Sequence, residues 1–218
     1  MSTEYFKTAD HYINNLFPPD DIFSIIEQSV TEAGLHDMSV SPNQGRFLYV
    51  MARQCNAKRI LELGTFVGYS TVWLAKALPP DGTIHTIEFD ETYARIARKN
   101  FAQSELDALI EVRVGKALDI LPEFEDEGLA PFDMIFIDAD KPSYPEYFKW
   151  ALRLSMPGTL IIVDNVIRHK FDKNTPEEKR TGVEQFNELV AATPSVTATI
   201  IQNVGVKEND GMAIVVVN

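Results

Sequence analysis

Residues 59–78, RILELGTFVGYSTVWLAKAL, decide the architecture. RILEL is short, apolar and β-favouring. A turn with glycines at 64 and 68 follows, and STVWLAKAL then carries its apolar residues at helical spacing. A strand that passes through a glycine turn straight into a helix is half of a βαβ unit. The alternation recurs downstream. Short apolar runs stand at TIHTIEF, IEVRV, FDMIFID and GTLIIVD, with helix-period segments between them at ETYARIARKNFAQ, KALDILPEF and YPEYFKWALRL. These runs lack strict polar alternation, as strands covered on both faces do. The pattern predicts an α/β fold with a Rossmann-like, doubly wound, mostly parallel sheet.

The two ends differ from this middle. The first 55 residues read as helices, through IFSIIEQSV and QGRFLYVMARQC, and are expected to cover the site. After a long helix from about Pro176 to Ala192, SVTATIIQN and GMAIVVV are β-rich and separated only by the loop VGVKEND. That loop is too short for a crossover helix, so the last two strands are expected to pair antiparallel. A chain of 218 residues fits one domain, because a single core grows to roughly 250 residues before it splits.

Composition narrows the function. With 20 Lys+Arg against 32 Asp+Glu the net charge is −12, which argues against a nucleic-acid binder. The chain holds one cysteine, Cys55, so no disulfide forms within it. The N-terminus is polar and no apolar run approaches the roughly 20 residues of a membrane span. The expectation is a cytoplasmic enzyme of small molecules, with no membrane association.

In an open α/β sheet the ligand sits beyond the carboxyl ends of the strands. At the first such end, Gly64 permits close backbone approach to a ligand and Gly68 lets the helix pack closely on the strand. The spacing is G-x-x-x-G rather than G-x-G-x-x-G, so the diphosphate cradle of an NAD(P)-dependent oxidoreductase is incomplete. Glu62 precedes the turn, where a carboxylate repels a diphosphate but suits a cation. Glu88 ends the second strand, where an acidic side chain grips ribose hydroxyls. A nucleoside with a positive centre and no diphosphate describes S-adenosylmethionine.

A second acidic group follows. Asp138 ends FDMIFID, and Asp164 with Asn165 ends GTLIIVD, so three hard oxygen ligands are expected on the same sheet edge. They suit Mg²⁺ first, with Mn²⁺ or Ca²⁺ as alternatives. Lys141 stands three residues beyond Asp138, at the rim of that site. Beside a divalent cation its ammonium is disfavoured, which makes it a usable general base.

At this point five segments match a family in order and at family spacing: MSVSPNQGRFL, RILELGTFVGYSTVWLA, TIEFD, FDMIFIDADK and TLIIVDNVIR. The chain resembles the metal-dependent class I S-adenosylmethionine O-methyltransferases of the catechol and caffeoyl-CoA type, from about Asp20 to the C-terminus. The resemblance implies a seven-stranded sheet, a usually dimeric assembly and a phenolic small-molecule substrate. Carried over by position, Asp138, Asp164 and Asn165 are the metal ligands and Lys141 the catalytic base. Glu88 is the ribose acid, and Val40, Gly64 and Ser70 contact the methionine end of the cofactor. Glu62 is the acid beside that end, and Phe89 packs on the adenine. Met38 lines the pocket near the sulfonium. Ala117 and Ala139 replace polar adenine contacts of the catechol enzyme, which leaves adenine recognition to backbone and packing.

The resemblance further implies that two vicinal phenolic oxygens meet the cation and Lys141 takes a proton. The phenolate then attacks the methyl group in line with the departing sulfur. Orienting two reactants supplies on the order of 7–11 kcal/mol of such a barrier. The stretch IRHKFDKNTPEEKRT (167–181) follows the metal strand, and its basic residues, Arg168, His169, Lys170, Lys173, Lys179 and Arg180, stand where an acceptor is covered. Arg168 is accordingly placed in the substrate pocket with Met38, Lys141 and Asn165. A free catechol-like phenol is the preferred acceptor and a hydroxycinnamoyl-CoA ester the alternative.

Overall fold

The computed structural model describes residues 3–172, 174–205 and 208–218. Five parallel strands form where the apolar runs stand: β1 (Arg59–Leu63), β2 (Thr83–Glu88), β3 (Ile110–Val114), β4 (Met134–Ile137) and β5 (Leu160–Val163). Two more, β6 (Val196–Gly205) and β7 (Glu208–Val217), complete a seven-stranded sheet of order β3-β2-β1-β4-β5-β7-β6. β7 runs antiparallel to both β5 and β6. The expected parallel sheet with an antiparallel C-terminal pair is therefore what forms.

Successive strand residues point to opposite faces, and both faces are covered. Ile60, Ile84, Met134, Phe136 and Ile162 pack under α2 (Asp21–Glu32), α3 (Pro42–Gln54), α4 (Tyr69–Ala77) and α5 (Glu91–Ser104). Leu61, Leu63, Ile135, Ile137, Ile161 and Val163 pack on the other side under α6 (Ala117–Asp126), α7 (Tyr144–Arg153) and α9 (Glu177–Ala192). With two apolar faces to fill, the strands have no polar side to alternate with. That is why they read as unbroken runs.

One local reading is corrected. The stretch VGVKEND was expected to be a loop, because its Gly, Lys, Asn and Asp favour turns. Val204 and Gly205 instead extend β6, and Glu208, Asn209 and Asp210 extend β7, with Asn203 opposite Asp210. Ladder pairing outweighs turn preference there, and Val206 and Lys207 lie outside the described residues. In 167–181 a short helix, α8 (Arg168–Phe171), forms after β5.

Ahead of the sheet, α1 (Thr3–Leu16) packs against β6 and α3. α3 is closed at its start by a capping box, in which Ser41 Oγ accepts from Gln44 N–H and Gln44 Oε1 accepts from Ser41 N–H. Such caps satisfy two otherwise orphaned donors. They also fix the chain as it enters α3, and residues 36–41 ahead of it border the site described next.

Candidate active site

Register sets the site. Gly64 N–H donates to Ile87 O, Asp138 N–H to Leu63 O and Asp164 N–H to Ile137 O, each at 2.9–3.0 Å. Each of the three thus stands one residue past the carboxyl end of β1, β4 or β5, in a row along one sheet edge. A cavity of about 1310 Å³ opens on that edge, and Gly64, Ser70, Glu88, Asp138, Lys141, Asp164 and Asn165 all line it. Ligand pockets are commonly about 300–1,000 Å³, so there is room for a nucleoside and a second reactant side by side.

The glycine turn works by close approach. Gly64 has φ +101°, and a Cβ there would lie 2.1 Å from the Asp138 carbonyl oxygen. Gly64 therefore lets β1 and β4 end flush. Gly68 has φ +91°, and a Cβ there would lie 2.3 Å from the Phe101 ring. Gly68 faces that ring and does not line the cavity, so its part in binding is to seat α4 on α5.

Glu62 is also displaced from its expected place. It is fully buried beneath the floor and does not line the cavity. Its Oε1 accepts from Ser70 Oγ at 2.7 Å; its Oε2 accepts from Thr86 Oγ1 at 2.7 Å and from Thr71 Oγ1. Thr65 Oγ1 lies 2.6 Å from Thr86 Oγ1 and extends the chain. Glu62 reaches the cavity through Ser70 and Thr65, which do line it. Burial pushes its carboxyl up to about 7 against the pull of Thr71, Thr86 and Ser70.

Glu88 lines the cavity while anchored from behind, its Oε2 accepting from Phe66 N–H at 2.7 Å and its Oε1 from Asp90 N–H at 2.9 Å. Each carboxylate oxygen keeps a lone pair for a ligand hydroxyl. Burial holds the Glu88 carboxyl above its ordinary range. Phe89 and Ala117 border the same end with Gly115 and Lys116; Phe89 is 69% exposed and presents its ring at the mouth. Val40 lines the wall, and Met38, 55% exposed, the entrance.

Asp138, Asp164 and Asn165 line the cavity with Lys141. Asp164 is 3% exposed, its Oδ1 accepting from Asn165 N–H at 2.8 Å. Asn165 sits at φ +58°, a left-handed conformation that asparagine tolerates better than most residues. The Asp164 carboxyl is pushed up to about 8, first by burial and then by the Asp138 charge. Among the described residues no three His, Cys, Asp or Glu side chains gather as a metal cluster. The candidate set is two carboxylates completed by an amide. Two crowded carboxylates relieved by a cation, with oxygen donors throughout, fit a hard divalent ion.

Lys141 was expected at the rim, yet it is 8% exposed. Its Nζ donates to Asp138 Oδ1 at 2.8 Å and to Tyr144 Oη at 2.6 Å. Tyr144, fully buried at the start of α7, escaped sequence reasoning, as did the hydroxyls of Thr65, Thr71 and Thr86 around Glu62. The signal for Tyr144 was its spacing, three residues beyond Lys141. The α9 helix braces this corner, since a Cβ on Gly182 would lie 2.2 Å from the Lys141 carbonyl oxygen. From the same helix Asn187 Nδ2 donates to Val166 O at 2.8 Å.

Of the basic residues in 167–181, Arg168 and Lys179 line the cavity. Arg168 Nε lies 3.6 Å from Asp210 Oδ2, and Asp210 Oδ1 accepts from the N–H groups of Ile167 and Arg168. Lys170 pairs with Glu184 at 3.1 Å. Lys173 lies outside the described residues, as does the side chain of His169.

Comparison with known proteins agrees with this geometry. A family model described as O-methyltransferase matches residues 20–216. A catechol O-methyltransferase of Niastella koreensis is 52% identical over the whole of both chains. A caffeoyl-CoA O-methyltransferase of Populus kitakamiensis is 35% identical over 72% of this chain and 71% of its own. The crystal structure of the O-methyltransferase TomG of Streptomyces achromogenes, in complex with SAM, superposes with a TM-score of 0.94. TomG is 44% identical, and the match covers 100% of this chain and 99% of that one.

Proposed function

The chain belongs to this O-methyltransferase family, and from that premise we propose that it transfers the methyl group of S-adenosylmethionine to one hydroxyl of a vicinal-diol phenol, with a divalent cation, Mg²⁺ first, and Lys141 as general base. The observation that carries this reading is one cavity with two acidic ends, Glu88 at one and Asp138 with Asp164 at the other, and Lys141 buried beside the second. Membership also sets aside the NAD(P)-dependent alternative.

S-adenosylmethionine supplies a methyl group on a positive sulfur, which leaves as a neutral thioether. The chain's residues arrange the rest. Glu88 accepts the two ribose hydroxyls, and Phe89 with Ala117 borders the adenine. Val40, Gly64 and Ser70 hold the methionine end, with Glu62 behind Ser70 as its acceptor. Asp138, Asp164 and Asn165 would hold the cation. A divalent cation there supplies positive charge that makes a neighbouring phenol easier to ionise. Lys141 removes the phenolic proton, a step worth roughly 10²–10⁴ in rate. Lys141 and Asp164 are themselves buried, and reactants filling the cavity beside them would displace water, so that phenolate and sulfonium charges collapse together in a dry site.

A free catechol is preferred because the N. koreensis relative bears that activity in its name and matches from end to end. A hydroxycinnamoyl-CoA ester is the second reading, favoured by Arg168 and Lys179 in the cavity wall. We place the enzyme in the cytoplasm as a homodimer. Among the described residues no helix is long and apolar enough to cross a membrane, and exposed Tyr12, Leu16, Phe17 and Val50 on and beside the N-terminal helices offer an apolar contact.

The test is a methyl-transfer screen over catechols, flavonoids and acyl-CoA phenols, each beside its monohydroxy counterpart. Transfer confined to vicinal diols is expected; no transfer to any diol would overturn the proposal.

A further inference from the structure

Lys141 Nζ has two partners among the described residues, and both are acceptors. Asp138 Oδ1 takes one N–H at 2.8 Å and the phenol oxygen of Tyr144 takes another at 2.6 Å. The Tyr144 proton is committed elsewhere, since its O–H donates to the Asp164 main-chain carbonyl at 2.9 Å. A phenol has one proton, so towards Lys141 Tyr144 acts only as an acceptor. An amine nitrogen has four tetrahedral positions. Carbon fills one, Asp138 and Tyr144 fix two, and a single position is left for the cavity that Lys141 lines.

One partner alone would leave the amino group free to turn about the Nζ–Oδ1 line. The second fixes it, provided that Tyr144 itself does not move. Tyr144 is fully buried, and its ring meets Phe186 of α9 edge-on with centroids 5.8 Å apart. The Lys141 nitrogen also lies 4.8 Å from the Tyr144 ring centroid.

We propose that Tyr144 is a positioning residue for methyl transfer. It turns the Lys141 amino group so that its one open position faces the acceptor hydroxyl, and it ties that group to the strand end carrying Asp164. The role rests on Lys141 being the base, and the test separates the two.

Tyr144→Phe removes one oxygen. In it kcat falls roughly tenfold to a hundredfold, part of what a placed base contributes, while KM for the methyl donor and calorimetric affinity for S-adenosylhomocysteine stay within about twofold. Phe124→Leu, in the core beneath α6 and away from the cavity, lowers stability and keeps kcat. Lys141→Met is inactive. An active Lys141→Met would remove the base and this role together. An inactive Lys141→Met beside a Tyr144→Phe enzyme of undiminished kcat would overturn the positioning role alone. Failure of Tyr144→Phe to fold, or loss of S-adenosylhomocysteine binding in step with kcat, would make Tyr144 structural and overturn it equally.

Discussion

Ser70 Oγ donates to Glu62 Oε1 at 2.7 Å, so a carboxylate that never reaches the cavity orients a hydroxyl that does. Such an arrangement is sensitive to pH. Glu62 titrates near 4.5 in an unfolded chain and about 7 when folded. Below the first value both states keep the proton; between the two only the folded chain does. Stability therefore falls as pH rises through that window, by about 3 kcal/mol. Glu62→Gln removes that contribution. Chemical denaturation of both proteins between pH 4 and pH 8 should show stability falling more steeply in the wild type than in the variant; parallel curves would contradict it.

Glu88 lines the cavity while the Phe66 and Asp90 N–H groups hold it from behind, and the proposal gives its free lone pairs to the ribose. Hydrogen bonds to a charged group contribute about 1.5–3 kcal/mol each. Glu88→Ala should weaken S-adenosylhomocysteine binding by at least about tenfold, measured by calorimetry. Unchanged affinity would move the ribose elsewhere.

Burial and then the Asp138 charge push the Asp164 carboxyl up to about 8, a conflict that a cation would resolve. Adding Mg²⁺ should raise the melting temperature of the wild type, since a ligand at a hundred times its Kd stabilises by about 2.7 kcal/mol. Asp164→Asn should melt at or above the wild-type temperature without Mg²⁺ and respond little to it. Equal shifts in both proteins would place the cation outside this set.

Gly182→Ala puts a methyl group where the Lys141 carbonyl stands, 2.2 Å from its oxygen. Overpacking of this kind costs about 1–3 kcal/mol, a drop of roughly 2–4 °C per kcal/mol in a chain of this size. The displaced Lys141 turn should lower kcat more than it raises KM for the methyl donor. A variant with wild-type kcat would show that α9 does not brace the base.

Much of this was legible in the residues. RILEL, MIFI and LIIV announce buried parallel strands because both their faces meet helices, and the strand ends then bring Glu88, Asp138 and Asp164 to one edge without further information. What stayed hidden depends on which way a side chain turns. Glu62 and Ser70 are eight residues apart, yet the first lies under the floor and the second in it. Lys141 reads as a surface lysine, because its burial comes from Tyr144 and from α9, whose Gly182 is 41 residues away in sequence. The tail VGVKEND carries turn-favouring residues whose preference the ladder between Asn203 and Asp210 overrides.

Methyl transfer to a diol, with a cation held by Asp138, Asp164 and Asn165, is open to one direct measurement. It follows labelled methyl from S-adenosylmethionine to catechol, first with EDTA and then with Mg²⁺ restored in excess. Transfer should vanish with the chelator and return with Mg²⁺ in the wild type, and not return in Asp164→Ala. Undiminished transfer in EDTA would contradict a cation held by these three residues.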